Sequence, residues 1–349
     1  MKRIHSVNPP DSLSYHLHRA YFLLLGGVVA SLIFQSGVPL MVAVLWGLAG
    51  AAGSLQTLGG SSYLTQMADP RRLGLLAALY ALSGTLGGAL GSPVAGRILD
   101  TAGFRTYGLT GLGLAALTVL LAVILLPNRQ KQVRDQAAGS FRESMWDMTR
   151  RPVMRLLMAL RFLPTIYYGM SIVLIPLMIN HLAGNKATVA IYATVSLTVA
   201  SVAQLLTGRA ADRYGHRKPT LFGYCALIVA ALGLAIFANQ LWGVFLFGVM
   251  GLAVAWSLAA LMFVLVSDGV PRAEHGRAFG LLHATWSLAM IGGALLGGAL
   301  TRVAAGLPFL VAGLLNIASV VVAMAFFAHL DRVGTAGSGL RAGELDAAT

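Results

Sequence analysis

The sequence predicts an all-α, polytopic membrane bundle of about ten transmembrane helices, and three observations predict it. Of 349 residues, 57% are hydrophobic and 11% charged, with 41 glycines and a mean hydropathy of +0.76, a balance outside the range of soluble domains. Ten apolar runs have roughly the 20 residues that cross a hydrocarbon core. Within them Gly, Ala, Ser and Thr recur at close intervals, which suits helices packing in lipid and lacks the polar–apolar alternation of a barrel.

The runs fall at roughly 20–36, 39–62, 74–96, 106–126, 156–180, 189–208, 219–238, 241–266, 278–300 and 305–328. Residues Met1 to Arg19 lack the uninterrupted apolar core of a secretory signal, so the first run is expected to carry the insertion signal itself. In the third run, GTLGGALGSPVAG puts Gly84, Gly87, Gly88, Gly91 and Gly96 around Pro93. That composition gives a smooth helix face and a kink, for tight packing or for sliding.

A net charge of +13 raises the question of a polyanion partner, and the positions of the bases answer it. With the N-terminus in the cytoplasm, 20 of the 25 Lys and Arg residues fall on the inner side. Only Arg97, Arg105, Lys186 and Arg302 fall outside, and Arg161 lies inside the fifth run. This asymmetry is the positive-inside rule, so no nucleic-acid partner is expected and both termini are placed in the cytoplasm. The single Cys225 excludes an intramolecular disulfide or a cysteine metal cluster and reads as a small packing residue.

The chain also repeats itself. A shift of 206 residues lays Arg71 on Arg277, Gly74-Leu75-Leu76 on Gly280-Leu281-Leu282, Tyr80 on Trp286, Gly87 on Gly293 and Gly91 on Gly297. The expected organisation is then two pseudo-symmetric halves: a four-helix N-terminal half over 1–127, a cytoplasmic connection over 128–155, a six-helix C-terminal half over 156–330, and a cytoplasmic tail over 331–349.

Between the sixth and seventh runs stands GRAADRYGHRK, from Gly208 to Lys218. Glycine permits close helix approach, Asp212 is suited to a helix N-terminus or a neighbouring arginine, and the bases hold the segment at the cytoplasmic face. The pattern Gly-x3-Asp-Arg-x-Gly-x-Arg-Lys resembles the signature loop of the major facilitator superfamily, which follows the second and the eighth of twelve helices. The resemblance covers nearly the whole chain. It implies that this sequence corresponds to helices three to twelve, since the first two helices and the front of the first loop have no counterpart. It further implies that Asp212 pairs with basic groups and a helix end, that Arg213, Arg217 and Lys218 form a cytoplasmic charge lock, and that Gly208 and Gly215 allow the approach. The glycine-rich third run is similar to the fifth helix of the family's antiporters, although Ser92 interrupts the pattern and the last glycine pair is incomplete.

All twelve carboxylates lie at helix ends or in loops, so a coupling acid is not found at mid-membrane, where ionisable groups usually mark an ion or substrate path. Coupling then resides in the two helices without a counterpart here, or a histidine serves, or there is none. His283 is the best candidate present for coupling to a proton gradient, against the reading of a histidine hydrogen-bonded near the cytoplasmic interface. Arg161 either attracts an anionic substrate or snorkels. Tyr167 and Tyr168 follow Pro164 in a helix that proline and glycine interrupt, and Trp286 shares a face with His283. Tyr80 is its repeat partner across the expected cavity, and Gln204, Gln56 and Asn180 add hydrogen-bonding capacity. For each of these, packing or an interfacial position is the competing reading.

The function expected is alternating-access transport of a small solute by a secondary carrier, with efflux of a drug-like or neutral metabolite favoured. A sugar or other metabolite uptake carrier, a non-transporting truncated protein or membrane sensor, and an integral membrane enzyme are the alternatives. The last has little support, because no Asp-x-x-Asp, His-x-x-His or Gly-x-x-x-x-Gly-Lys cluster occurs. No catalytic residue, metal site or cofactor is expected, and the partners are a small-molecule substrate and the lipid bilayer. The expected setting is a monomer in a bacterial-type inner membrane.

Overall fold

The computed structural model describes residues 72–125 and 141–346 continuously, with scattered positions between 28 and 65. Every regular element among the described residues is helical, and eight helices are long and apolar enough to cross a membrane. The first two expected spans are described only at scattered positions, most of them helical. The other eight are each met by a helix.

One helical stretch, Leu73–Leu125, is broken at Gly103, whose φ of 74° is open to glycine and costly for other residues. It contains two spans, Leu73–Ala95 (α1) and Thr101–Leu121 (α2). There follow α3 (Phe141–Arg150), α4 (Pro152–Ala183), α5 (Lys186–Tyr214), α6 (Arg217–Ile236), α7 (Leu241–Gly269), α8 (His275–Thr301) and α9 (Leu307–Asp346). The chain divides into two compact units, 1–60 with 93–136 and 61–92 with 137–349. Most of α1 thus packs within the same unit as α3 to α9.

Local chemistry sets the helix ends. Pro152 opens α4, where its missing N–H is no loss, and Gly184 closes it with φ 69° and an N–H bonded to the Asn180 carbonyl. Asn185 caps α5 by accepting from the Thr188 amide at 2.9 Å. Within the larger unit α4 packs most extensively on α8 and also meets α7 and α9. Helix α5 lies on α7, and α6 lies on α9 and α7.

Glycines make the α4–α8 crossing possible. A Cβ on Gly293 would run into the Ile166 carbonyl, and one on Gly297 would come within 3.0 Å of the Met170 side chain. This is the small-residue packing expected of helices in lipid. Of the third-run glycines, Gly88 faces Leu197 of α5, whereas a Cβ at Gly84, Gly87 or Gly91 would meet no atom within 4 Å. Pro93 and Gly96 both lie within the helical stretch.

The segment read as a connection over 128–155 contains the amphipathic helix α3, whose Met148 is 2% exposed. Its Met145 methyl approaches Gly280 of α8. At ten residues it is too short to span a membrane, so hydropathy does not mark it. At the other end of the chain, α9 continues through the expected tail to Asp346. Cys225 is exposed on α6.

Candidate functional site

The segment read as a loop from Gly208 to Lys218 is mostly helix: α5 runs on through Asp212 to Tyr214, and the turn is confined to Gly215 and His216. Arg209, Ala210 and Ala211 favour helix, so α5 outlasts its apolar run. Gly215, with φ 77° and ψ 167°, stops it in a conformation that a side chain would strain.

This extension delivers Asp212 to the start of α1. Its Oδ1 accepts from the Gly74 amide at 2.9 Å and its Oδ2 from the Leu75 amide at 2.8 Å. Those amides belong to the first turn, which has no intrahelical acceptors and carries the positive end of the helix dipole. One carboxylate therefore satisfies two orphan donors of another helix.

The contact depends on a notch made by two glycines. A Cβ at Gly74 would lie 2.5 Å from Asp212 Oδ1 and 2.9 Å from the Gly208 carbonyl oxygen. A Cβ at Gly208 would lie 2.6 Å from that of Ala78 and 2.7 Å from the Gly74 carbonyl oxygen. Further along the same crossing, Thr85 Oγ1 accepts from Ser201 Oγ at 2.9 Å and from Gln204 Nε2 at 3.3 Å. Gln204 is fully buried, and its Oε1 has no partner.

Two bases of the segment, Arg213 and Arg217, have partners other than Asp212. Arg217 lies 3.6 Å from Asp331, and the Arg213 guanidinium sits 5.3 Å over the Tyr214 ring. No ion pair to Asp212 occurs among the described residues. Further pairs join helix ends: Glu274 binds Arg151 through both oxygens and Arg277 at 3.5 Å, and His216 Nδ1 meets Asp268 at 2.6 Å.

Of the cavity candidates, the structure brings four together. The Arg161 guanidinium lies within electrostatic reach of the Tyr168 hydroxyl and the His283 ring. His283 stacks on Trp286 with centroids 5.2 Å apart, and Tyr168 meets the Trp256 ring edge-on at 6.2 Å. The residues come from α4, α7 and α8. Tyr167 is placed elsewhere: it is 1% exposed and its hydroxyl packs against Gly251 of α7. Tyr80 meets the Phe263 ring edge-on at 5.6 Å. Asn180 is exposed near the end of α4, and Gln56 lies outside the described residues.

The sequence names Gly74 only through the repeat, and Ala78, Thr85, Ser201, Trp256 and Tyr224 were not singled out. The spacing Gly74-x3-Ala78, opposite Gly208, was the available signal for the first two. Tyr224 donates to the Leu160 carbonyl at 3.0 Å from a buried position.

The sequence model of the Major Facilitator Superfamily matches residues 17–172 and 157–345. The chain belongs to the major facilitator superfamily. It is an integral, multi-pass membrane protein of that family. It is 25% identical over 186 residues to the class H tetracycline resistance protein of Pasteurella multocida, a match spanning 51% of this chain and 44% of that protein's length. Among solved superfamily structures, the human organic anion transporter MFSD10 superposes with a TM-score of 0.73 at 14% identity, over 88% of this chain and 77% of that one. The proton:xylose symporter XylE superposes with a TM-score of 0.70 at 14% identity, over 90% and 79%. These structural likenesses carry the fold.

Proposed function

We propose that this protein is a secondary transporter that moves a small solute by alternating access, in the direction of efflux, with a drug-like or neutral metabolite as cargo. The observation that carries the reading is the Asp212 contact on the first turn of α1. A charged group that holds another helix through its backbone, across a glycine notch, stabilises one arrangement of α1 and α5 and is lost when they separate. Alternating access needs such a two-state element. The efflux direction is supported by the name of the tetracycline resistance relative.

In this reading the solute meets Arg161, Tyr168, His283 and Trp286, a group that offers aromatic faces and one cation. His283 is the residue assigned to coupling with a proton gradient. The protein works as a monomer in a bacterial-type inner membrane with both termini cytoplasmic, and its activity is transport without catalysis.

The test is a pH-jump efflux assay in proteoliposomes with a lipophilic cation dye, comparing the native chain with Asp212→Ala and His283→Gln. Gradient-dependent dye movement that both variants reduce supports the reading. Movement unaffected by Asp212→Ala refutes the role of the α1 contact. Silence of the native chain with the dye, alongside movement of a labelled neutral metabolite, replaces the drug-like cargo. Accumulation where release is expected reverses the direction.

A further inference from the structure

Helices α5 and α6 are consecutive in the chain but touch each other little, since both lie on α7. The space they leave is a groove of about 520 Å³, within the range of small-molecule sites. Leu206 and Ala210 of α5 and Phe222 of α6 form its walls, and Ser257 of α7 lies at its floor. Leu206 and Phe222 are 60% and 76% exposed, so the groove opens sideways to the surface that lipid covers. At its charged end stand Lys218 and the exposed Tyr214. Arg209, Arg213 and Arg217 are each next in sequence to a lining residue, Ala210, Tyr214 and Lys218 respectively.

We propose that this groove binds an anionic phospholipid, with an acyl chain between α5 and α6 and the phosphate at Lys218. Three features argue for this occupant. The walls are almost wholly apolar, so they fit a hydrocarbon chain and offer little to a polar solute. The positive charge is confined to one end, at the depth where a headgroup meets water, and each basic residue near an anionic surface contributes about 1 kcal/mol of attraction.

The third feature is Ser257. It is 6% exposed, its Oγ has no hydrogen-bond partner, and it belongs to the groove lining. A serine in a membrane helix ordinarily returns its proton to the carbonyl one turn back, as Thr165, Ser171 and Thr285 do here. Gly223, beside which Leu258 packs, lies five residues beyond Lys218. At 1.5 Å per residue that places the Ser257 level about 7.5 Å below Lys218. The acyl ester carbonyl of a phospholipid lies below its phosphate, and it is an acceptor that this hydroxyl lacks.

The test uses the purified full chain and native mass spectrometry with added phosphatidylglycerol or phosphatidylcholine, and does not depend on transport. One phosphatidylglycerol is expected to survive activation that strips phosphatidylcholine. Ala210→Trp, which fills the groove, is expected to abolish its retention, and Lys218→Ala and Ser257→Ala to reduce it several-fold. Gel filtration and thermal melting check that each variant is folded. If Ala210→Trp does not fold, phosphatidylglycerol bearing a diazirine in its acyl chain decides the matter on the native chain. Labelling concentrated in residues 203–223 and 254–261 supports the proposal, and labelling spread evenly over the lipid-facing helices overturns it. Equal retention of the two lipids also overturns it. Displacement of phosphatidylglycerol by a lipophilic cation at the concentration that supports its transport assigns the groove to the solute instead.

Discussion

The hydroxyl of Tyr224 on α6 donates to the Leu160 carbonyl oxygen of α4 at 3.0 Å, and Leu160 is four residues before Pro164. Proline has no N–H for that carbonyl. The neighbouring helix thus supplies the donor that the sequence of α4 withdraws, as membrane bundles require when no water reaches the backbone. Tyr224→Phe keeps the ring and orphans the acceptor, at an expected cost of about 1–3 kcal/mol. Pro164→Ala restores the helical donor, so Tyr224→Phe should cost much less in that background. A double-mutant cycle of reversible unfolding in detergent measures the coupling. Additive effects would mean that the tyrosine bond does not substitute for the helical one.

The glycine notch sets a steric limit on the α1–α5 crossing. Gly208→Val drives two methyl groups toward the Gly74 carbonyl and Ala78, and the overpacking is expected to lower stability by about 1–3 kcal/mol. Gly84→Ala, where nothing lies within 4 Å, is expected to have no comparable effect. Parallel thermal melts of the two variants give the comparison. Equal shifts would sink the notch.

Asp212→Asn keeps one acceptor but removes the charge, and Asp212→Ala removes both bonds. With the exposure of the carboxylate discounted, the loss to Ala is about 1–2 kcal/mol, which corresponds to roughly a tenfold change in transport rate. Asparagine should fall between the two. Membrane insertion and purified yield should match the native chain, because the apolar spans are untouched. Initial rates of dye efflux at matched protein density read the series, and native rates in Asp212→Ala contradict it.

Thr85 is the shared acceptor of Ser201 and Gln204. Thr85→Val leaves the fully buried Gln204 amide without its partner and is expected to cost about 1–3 kcal/mol. Thr85→Ser should be close to neutral. Gln204→Leu removes the buried polar group altogether, so its stability should be native or higher. Chemical denaturation separates these outcomes. A large loss in Gln204→Leu would show that the amide has a further partner in the working protein.

Glu274 holds Arg151 with both oxygens and Arg277 with one, at the surface. Exposed pairs contribute about 0.2–1 kcal/mol, so Glu274→Gln should lower stability by less than about 1 kcal/mol, and less again in 1 M salt. The exchange Arg151→Glu with Glu274→Arg should recover part of the loss through the 151–274 pair. Melting at low and high salt tests both statements.

Hydropathy located eight helices closely because the bilayer demands about 20 apolar residues whatever the neighbours are. It did not find where helices end. Gly208 to Tyr214 looked like a loop because charge begins there, but charge marks the edge of lipid and leaves helix propensity unaffected. Helix α3 was missed for the opposite reason, since its short amphipathic face answers to protein and not to hydrocarbon.

The polar group around Arg161 was legible as residue types but not as directions. Tyr167 and Tyr168 are neighbours in sequence and point about 100° apart on a helix, so one packs on Gly251 and the other meets Trp256. The partner of Asp212 was harder still. It is a pair of backbone amides 138 and 137 residues away, which every non-proline residue possesses, and only the glycine at 74 marks the place.

Each oxygen of Asp212 engages a different, successive amide, at 2.9 and 2.8 Å. An N–H···O bond weakens steeply beyond about 3.2 Å and has gone by roughly 3.6 Å. A withdrawal of α5 by less than about 1 Å therefore ends both bonds together, whereas thermal breathing smaller than that spares both. The contact acts as a detent: it resists small excursions, then gives way within a fraction of an ångström, and contributes no further restoring force.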